Sequence, residues 1–232
     1  MISAIIIDDE RLARDEMRFL LSKYPDIEIV DEASLASVAI EKINRIKPDV
    51  VFLDIELPSA TGFDILLACA FTPHVVFVTA YDAYAIRAFE ENALDYLPKP
   101  VRQTRLDKTI EKIRKTLVVS SEQAPLEEKI FIKDGSKCYF IPYKNISHIT
   151  ALGNYARFHF GSDHCLMHQS LRKLEQRLPA GFFIRANRQE IINVNFITGI
   201  KWEQEQLTVE IKDQVKVLFS ERNAAVFKQK FG

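Results

Sequence analysis

In the first half of the chain, short apolar runs without alternation are separated by stretches whose apolar positions recur at helical spacing. Residues 4–7, 27–30, 50–53, 75–78 and 94–97 make the runs, broken by a charged residue only at Glu28 and Asp95. Leu12, Met17, Leu20 and Leu21, followed by residues 38–46, 63–70, 83–89 and 103–117, make the helical stretches. A strand covered on both faces loses the in–out alternation of a half-exposed one. The pattern therefore predicts a doubly wound α/β domain with a five-stranded parallel sheet and five helices. The residues that close the runs are chemically distinctive. Asp8 and Asp9 follow the first run, Asp54 the third and Thr79 the fourth, and Lys99 stands just past the fifth. Ligands of such sheets sit beyond the carboxyl ends of the strands, so all five residues are expected at one end of one sheet.

The pattern changes after residue 117. Residues 118–128, VVSSEQAPLEE, are largely polar, contain Pro125 and show neither period, which predicts a linker between domains 1–117 and 129–232. Beyond it a period of two takes over. Residues 129–133 and 137–142 flank Asp134-Gly135-Ser136 as a hairpin. Residues 155–160 place Ala156, Phe158 and Phe160 on one face and Tyr155, Arg157 and His159 on the other. Leu207, Val209 and Ile211 alternate into Asp213-Gln214, and Val215, Val217 and Phe219 alternate out of it. Two short helices fit, one carrying Leu171, Leu174 and Leu178, the other following Ser220 with Phe227 and Phe231. The second domain is read as mostly antiparallel β.

Composition narrows the class. With 47% hydrophobic and 27% charged residues the chain is expected to fold rather than stay disordered. No apolar run approaches the ~20 residues of a membrane helix, and the start, MISAIIIDDE, turns acidic too soon for a signal peptide. Three cysteines without CxxC spacing argue against a disulfide scaffold or zinc ribbon. His164 and His168 lie ~13 Å apart along a strand, too far to share a metal. The expectation is a cytoplasmic protein with no membrane partner. The net charge of −1 conceals an asymmetry: residues 1–116 carry 15 Lys+Arg against 20 Asp+Glu, and residues 129–232 carry 16 against 9. An acidic module joined to a basic one implies different partners for each.

Three carboxylates, Asp8, Asp9 and Asp54, converging at neighbouring strand ends would raise one another's pKa unless a cation neutralised them. All-oxygen ligation with few protein groups suits Mg²⁺. Lys99 adds a movable positive charge and Thr79 a hydroxyl donor. Together they describe a site that stabilises a phosphoryl group while one carboxylate attacks it. Asp54 stands alone at its strand end and is the candidate nucleophile, and the Asp8-Asp9 pair is the candidate metal holder.

IIIDDE, VVFLDIELPSATGFD, VVFVTAY and ALDYLPKP together resemble the signatures of response-regulator receiver domains, over residues 2 to about 117. The resemblance implies that Asp54 accepts the phosphoryl group from a sensor histidine kinase. It implies Asp9 as a direct Mg²⁺ ligand, Asp8 through water, and the Glu56 carbonyl completing the protein ligands. It also implies Lys99 on the phosphoryl group, Thr79 as the switch hydroxyl, Tyr96 as the switch aromatic, and a cis Lys99-Pro100 peptide. Phosphorylation would then remodel the face of the fourth helix, fifth strand and fifth helix and produce a homodimer. Two other families fail on detail. A dinucleotide-binding domain needs GxGxxG where this chain has DDERLAR, and a haloacid-dehalogenase-type phosphatase needs DxD where this chain has Asp54-Ile55-Glu56.

In the basic domain, the cluster Arg185-Ala186-Asn187-Arg188-Gln189 carries the side chains that read base edges, or equally a solvated loop. FFIRANRQEIINVNFI resembles the signature of LytTR-type DNA-binding domains, usually F-x-R-x-H-R-S-x-x-V-N. ALGNYARFHF, SLRKLEQRLPAGFF and FSERNAAVFKQKF resemble its other segments, over about residues 129–232. Asn187 replaces the usual histidine, Gln189 the serine and Ile192 the valine. The resemblance implies loops in successive major grooves of double-stranded DNA, with Asn154, Asn187 or Arg188, and Arg222 as candidate base readers. The reading is a transcriptional response regulator, not an enzyme. The rival is a phosphorylation-gated module whose basic domain binds an acidic protein.

Overall fold

The computed structural model describes residues 1–80, 93–123, 129–135, 137–203 and 206–231, with the backbone alone for residues 118–123 and 213. The expected helix at residues 83–89 lies outside the described residues. The chain divides into two compact units, Met1–Phe140 and Ile141–Gly232.

In the first unit, β1 (Ile2–Ile7), β2 (Ile27–Ala33), β3 (Val50–Leu53), β6 (His74–Thr79) and β7 (Asp95–Pro98) form a parallel sheet in the order β2-β1-β3-β6-β7. Two very short strands, β4 (Glu56–Leu57) and β5 (Ala60–Thr61), pair just after β3. Successive strand residues feed opposite layers. Ile5, Ile7, Val51, Leu53, Val75 and Phe77 pack with α2 (Ala36–Ile46) and α3 (Gly62–Ala68). Ala4, Ile6, Val50, Phe52, Val76 and Val78 pack with α1 (Arg11–Leu21) and α4 (Gln103–Gln123). Both layers are apolar, which is why these strands show no alternation. Leu12, grouped by spacing with the inward side of α1, is 81% exposed. At 3.6 residues per turn, five positions separate it from Met17 by about 140° around the helix.

α4 runs through Gln123, so residues 118–123 are helical where the sequence predicted the start of a linker. Once a helix is nucleated, adding a turn needs no apolar periodicity. The β-hairpin of β8 (Lys129–Asp134) and β9 (Lys137–Pro142) follows. Its Phe131 is fully buried within the first unit, stacked on Phe63 with ring centroids 6.3 Å apart.

The second unit is antiparallel throughout its described pairings. β10 (Ile146–Leu152), β11 (Tyr155–Phe160), β12 (Asp163–Met167), β13 (Phe183–Arg185) and β14 (Glu190–Asn193) form a sheet in the order β12-β11-β10-β14-β13. β15 (Ile197–Glu203), β16 (Gln206–Ile211) and β17 (Val215–Leu218) form a second sheet. Alternation is kept here because each sheet buries one face: Ala156 and Phe158 are fully buried while Tyr155 is 45% exposed. The helices are α5 (Leu171–Arg177), capped by the Ser170 side chain, and α6 (Glu221–Phe231). Phe227 of α6 packs with Leu207, Val209, Val217 and Phe219.

Candidate functional site

The acidic site follows from strand register. Ile7 pairs with Leu53 across the parallel ladder, so the next residues, Asp8 and Asp54, emerge side by side. The sheet order reverses direction between β1 and β3, which opens the crevice where such sheets bind ligands. Backbone hydrogen bonds carry the alignment past the strand ends, from Asp54 N–H to the Ile7 carbonyl (2.9 Å) and from Asp8 N–H to the Ala33 carbonyl (3.1 Å). One carboxylate oxygen from each of Asp8, Asp9 and Asp54 lies within 4.8 Å of the others. Asp8 and Asp54 are buried and Asp9 is exposed. Lys99 Nζ lies 2.7 Å from Asp8 Oδ2 and 2.6 Å from Asp54 Oδ2. Burial opposes the Lys99 charge, but its bonds to Asp54 and Asp8 outweigh that and hold its pKa above the usual lysine value. Burial also pushes Asp8 above the usual carboxylate value, although Lys99 pulls the other way. The two shifts describe a buried pair in which the cation is well compensated and burial works against the charge on Asp8.

The other expected receiver residues lie on β4, β6 and β7 or just beyond them. Thr79 ends β6 and is buried, and its carbonyl accepts the Lys99 N–H at 2.9 Å. Tyr96 lies on β7, buried in the layer that holds Phe77. The Lys99-Pro100 peptide is cis. Glu56 is exposed, and its N–H donates to Asp54 Oδ1 at 3.1 Å, which places its backbone beside the site. Gly62 holds the other side of the Asp54 loop: a Cβ there would stand 2.5 Å from the Asp54 carbonyl oxygen. Thr61 caps α3 at this point, its hydroxyl accepting from Asp64 N–H while the Asp64 carboxylate accepts from Thr61 N–H. Neither Gly62 nor the Thr61–Asp64 cap was singled out from sequence, although the string ATGFD contains both.

In the second unit, three of the four expected base readers, Asn187, Arg188 and Arg222, line one concave surface together with Gln189, Trp202 and Lys228. The loop between β13 and β14 supplies Asn187 and Arg188, and the first turn of α6 supplies Arg222. Asn154 is not among the lining residues. It sits in the exposed β10–β11 turn, where Gly153 has a φ of +57° that suits glycine. Trp202 comes from β15 and Lys228 from α6, the helix that carries Arg222, and neither was singled out from sequence.

A family model for the response regulator receiver domain matches residues 4–111, and one for the LytTr DNA-binding domain matches residues 136–232. The transcriptional regulatory protein BtsR of Escherichia coli is 34% identical over all of this chain and all of its own length. The sensory transduction protein LytT of Enterococcus faecalis is 34% identical, covering 98% of each chain. An uncharacterized response regulatory protein of Vibrio parahaemolyticus is 35% identical over 100% of this chain and 99% of its own. With the receiver and DNA-binding models on separate parts of the chain and relatives matching it end to end, the protein belongs to the response-regulator family that joins a receiver domain to a LytTR DNA-binding domain.

Proposed function

We propose that this protein is a two-component transcriptional regulator in which Asp54 accepts a phosphoryl group from a sensor histidine kinase and the C-terminal domain binds double-stranded DNA. The carrying observation is the convergence of the Asp8, Asp9 and Asp54 carboxylates within 4.8 Å, with Lys99 bridging two of them. The donor set is all oxygen and anionic, which fits a hard divalent cation such as Mg²⁺. Asp8, Asp9, Asp54 and the Glu56 carbonyl would hold it, and it would neutralise charge on the phosphoryl oxygens. Asp54 Oδ attacks phosphorus as the bond to the donor imidazole breaks, and the carboxylate becomes an acyl phosphate. Lys99 follows the new charge, because its present partners are the two carboxylates that the phosphoryl group displaces or occupies. Thr79 and Tyr96 then report the change, since the added oxygens are strong acceptors within reach of the strand ends. Homodimerisation on phosphorylation would raise DNA affinity by effective concentration, each domain binding weakly alone.

Intact-mass measurement of the full chain with acetyl phosphate, with and without EDTA, tests the assignment. One phosphate should add in Mg²⁺, none in EDTA, and none to Asp54→Asn in either. A phosphate adduct of undiminished yield on Asp54→Asn would remove Asp54 from its role.

A further inference from the structure

We infer that Gln189 is a base-reading, specificity-determining residue, and that Asn187 and Arg185 are positioning residues that hold the reading loop rigid. The inference rests on the DNA-binding reading above.

Hydrogen-bond accounting separates the five residues of the polar cluster. An Asn side chain reads a base edge only by offering a donor and an acceptor at once. Asn187 has no donor to spare. Its Nδ2 donates to Glu190 Oε2 at 2.7 Å and to the Leu218 carbonyl at 2.8 Å. Its Oδ1 accepts the Gln189 N–H at 2.7 Å. Both amide hydrogens are used, and the second ties the loop to the end of β17, 31 residues away. Arg185 is also turned to the backbone, donating to the carbonyls of Asn187 and Arg188. The Ala186 carbonyl accepts from Ser220 N–H and from Asn223 Nδ2.

Those contacts leave Arg188 and Gln189 as the exposed side chains of the loop. The Gln189 backbone is pinned at both groups, its N–H by Asn187 and its carbonyl by Ala151 N–H at 2.8 Å. A long side chain on a fixed backbone loses less freedom on binding than one on a mobile loop. The end groups are complementary to different bases: a guanidinium pairs with guanine O6 and N7, and a carboxamide with adenine N6 and N7. Gln189 stands where the family pattern has serine, which ends at a single hydroxyl and lacks that paired donor and acceptor. The chain should therefore discriminate adenine at a position that a serine-bearing loop leaves loosely read.

The test uses the full chain. Duplexes are selected from a random pool, and each position of the selected site is then varied in anisotropy titrations at fixed salt. Wild type should show a strong adenine preference at one position near that read by Arg188. Gln189→Ala should bind the selected duplex about 10-fold more weakly, within the range of one bidentate contact, and lose discrimination at that position only. Replacing that adenine by 7-deazaadenine should weaken wild type and leave Gln189→Ala unchanged. Asn187→Ala should weaken binding to selected and scrambled duplexes together and lower the melting temperature. Unaltered base preferences in Gln189→Ala, beside clear preferences in wild type, would overturn the inference while DNA reading stands. Loss of a single-position preference in Asn187→Ala, with unchanged melting, would make Asn187 the reader instead. A wild type that binds no selected duplex better than scrambled DNA would take down the DNA-reading function and this inference together.

Discussion

Gly62 shows how little space surrounds the phosphoacceptor. Its Cα faces the Asp54 carbonyl so closely that a methyl group would sit 2.5 Å from that oxygen, a contact with backbone rather than with a flexible side chain. The Leu53 side chain closes the rest of the space at 3.0 Å. Ala therefore cannot be accommodated without shifting the Asp54 loop, and overpacking of this kind costs about 1–3 kcal/mol. Gly62→Ala should lower stability by that amount in urea titration and slow acyl phosphate formation at Asp54. Wild-type phosphorylation kinetics in Gly62→Ala would show that the loop absorbs the shift without moving its carboxylate.

At the scale of elements, α4 is fixed to the sheet by a buried anion. Asp95 on β7 accepts hydrogen bonds from Nη1 and Nη2 of Arg105 (2.7 and 2.6 Å), the Thr109 hydroxyl (2.7 Å) and Lys112 Nζ (2.9 Å). The three donors lie on one face of the helix, four and three positions apart. Burial alone would raise the Asp95 pKa, but the hydrogen bonds from Arg105, Lys112 and Thr109 outweigh it and hold the carboxyl well below the usual range. A carboxylate with a depressed folded-state pKa stabilises the fold above its unfolded value, near 3.9, and that stability is lost as pH falls toward the folded pKa. Asp95→Asn should cost about 1.5–3 kcal/mol at pH 7, as for hydrogen bonds to a charged group. The difference from wild type should shrink as the pH of the urea titration is lowered below about 4. A constant difference from pH 7 to pH 3.5 would mean that the carboxylate charge is not what holds α4.

Over the whole molecule, charge is divided between the two ends of the chain. Residues 129–232 carry 16 Lys+Arg against 9 Asp+Glu, while residues 1–116 carry the opposite imbalance, 15 against 20. Binding to DNA then releases counterions in proportion to the phosphates neutralised, with a log–log salt slope of about −0.9 for each. Affinity of the full chain for any duplex should fall steeply between 50 and 200 mM salt, roughly 10³-fold if six phosphates are contacted. Lys228 lines the concave surface from α6. Lys228→Ala should weaken specific and scrambled duplexes alike and flatten the slope by about one unit. Salt-independent binding would point to an acidic protein segment or another partner in place of nucleic acid.

The sequence by itself determined the receiver sheet and its charged rim. Strands buried on both faces must be continuously apolar, and groups at their carboxyl ends must be polar, so residues 4–9 and 50–54 announce both strand and site within a few positions. Antiparallel strands with one buried face, such as residues 155–160 and 207–211, were equally legible through their alternation. Tertiary structure decided what depends on partners distant in the chain. β15 was unannounced because its pattern is mostly exposed and includes Gly199, so it owes its order to pairing with β16. The helical residues 118–123 extend a helix nucleated elsewhere and carry no apolar period of their own. The roles within residues 185–189 were the least legible. Composition marks all of them except Ala186 as polar and capable of reading a base, but the engagement of Asn187 with the protein depends on a carbonyl at Leu218, and no local pattern encodes a contact across 31 residues.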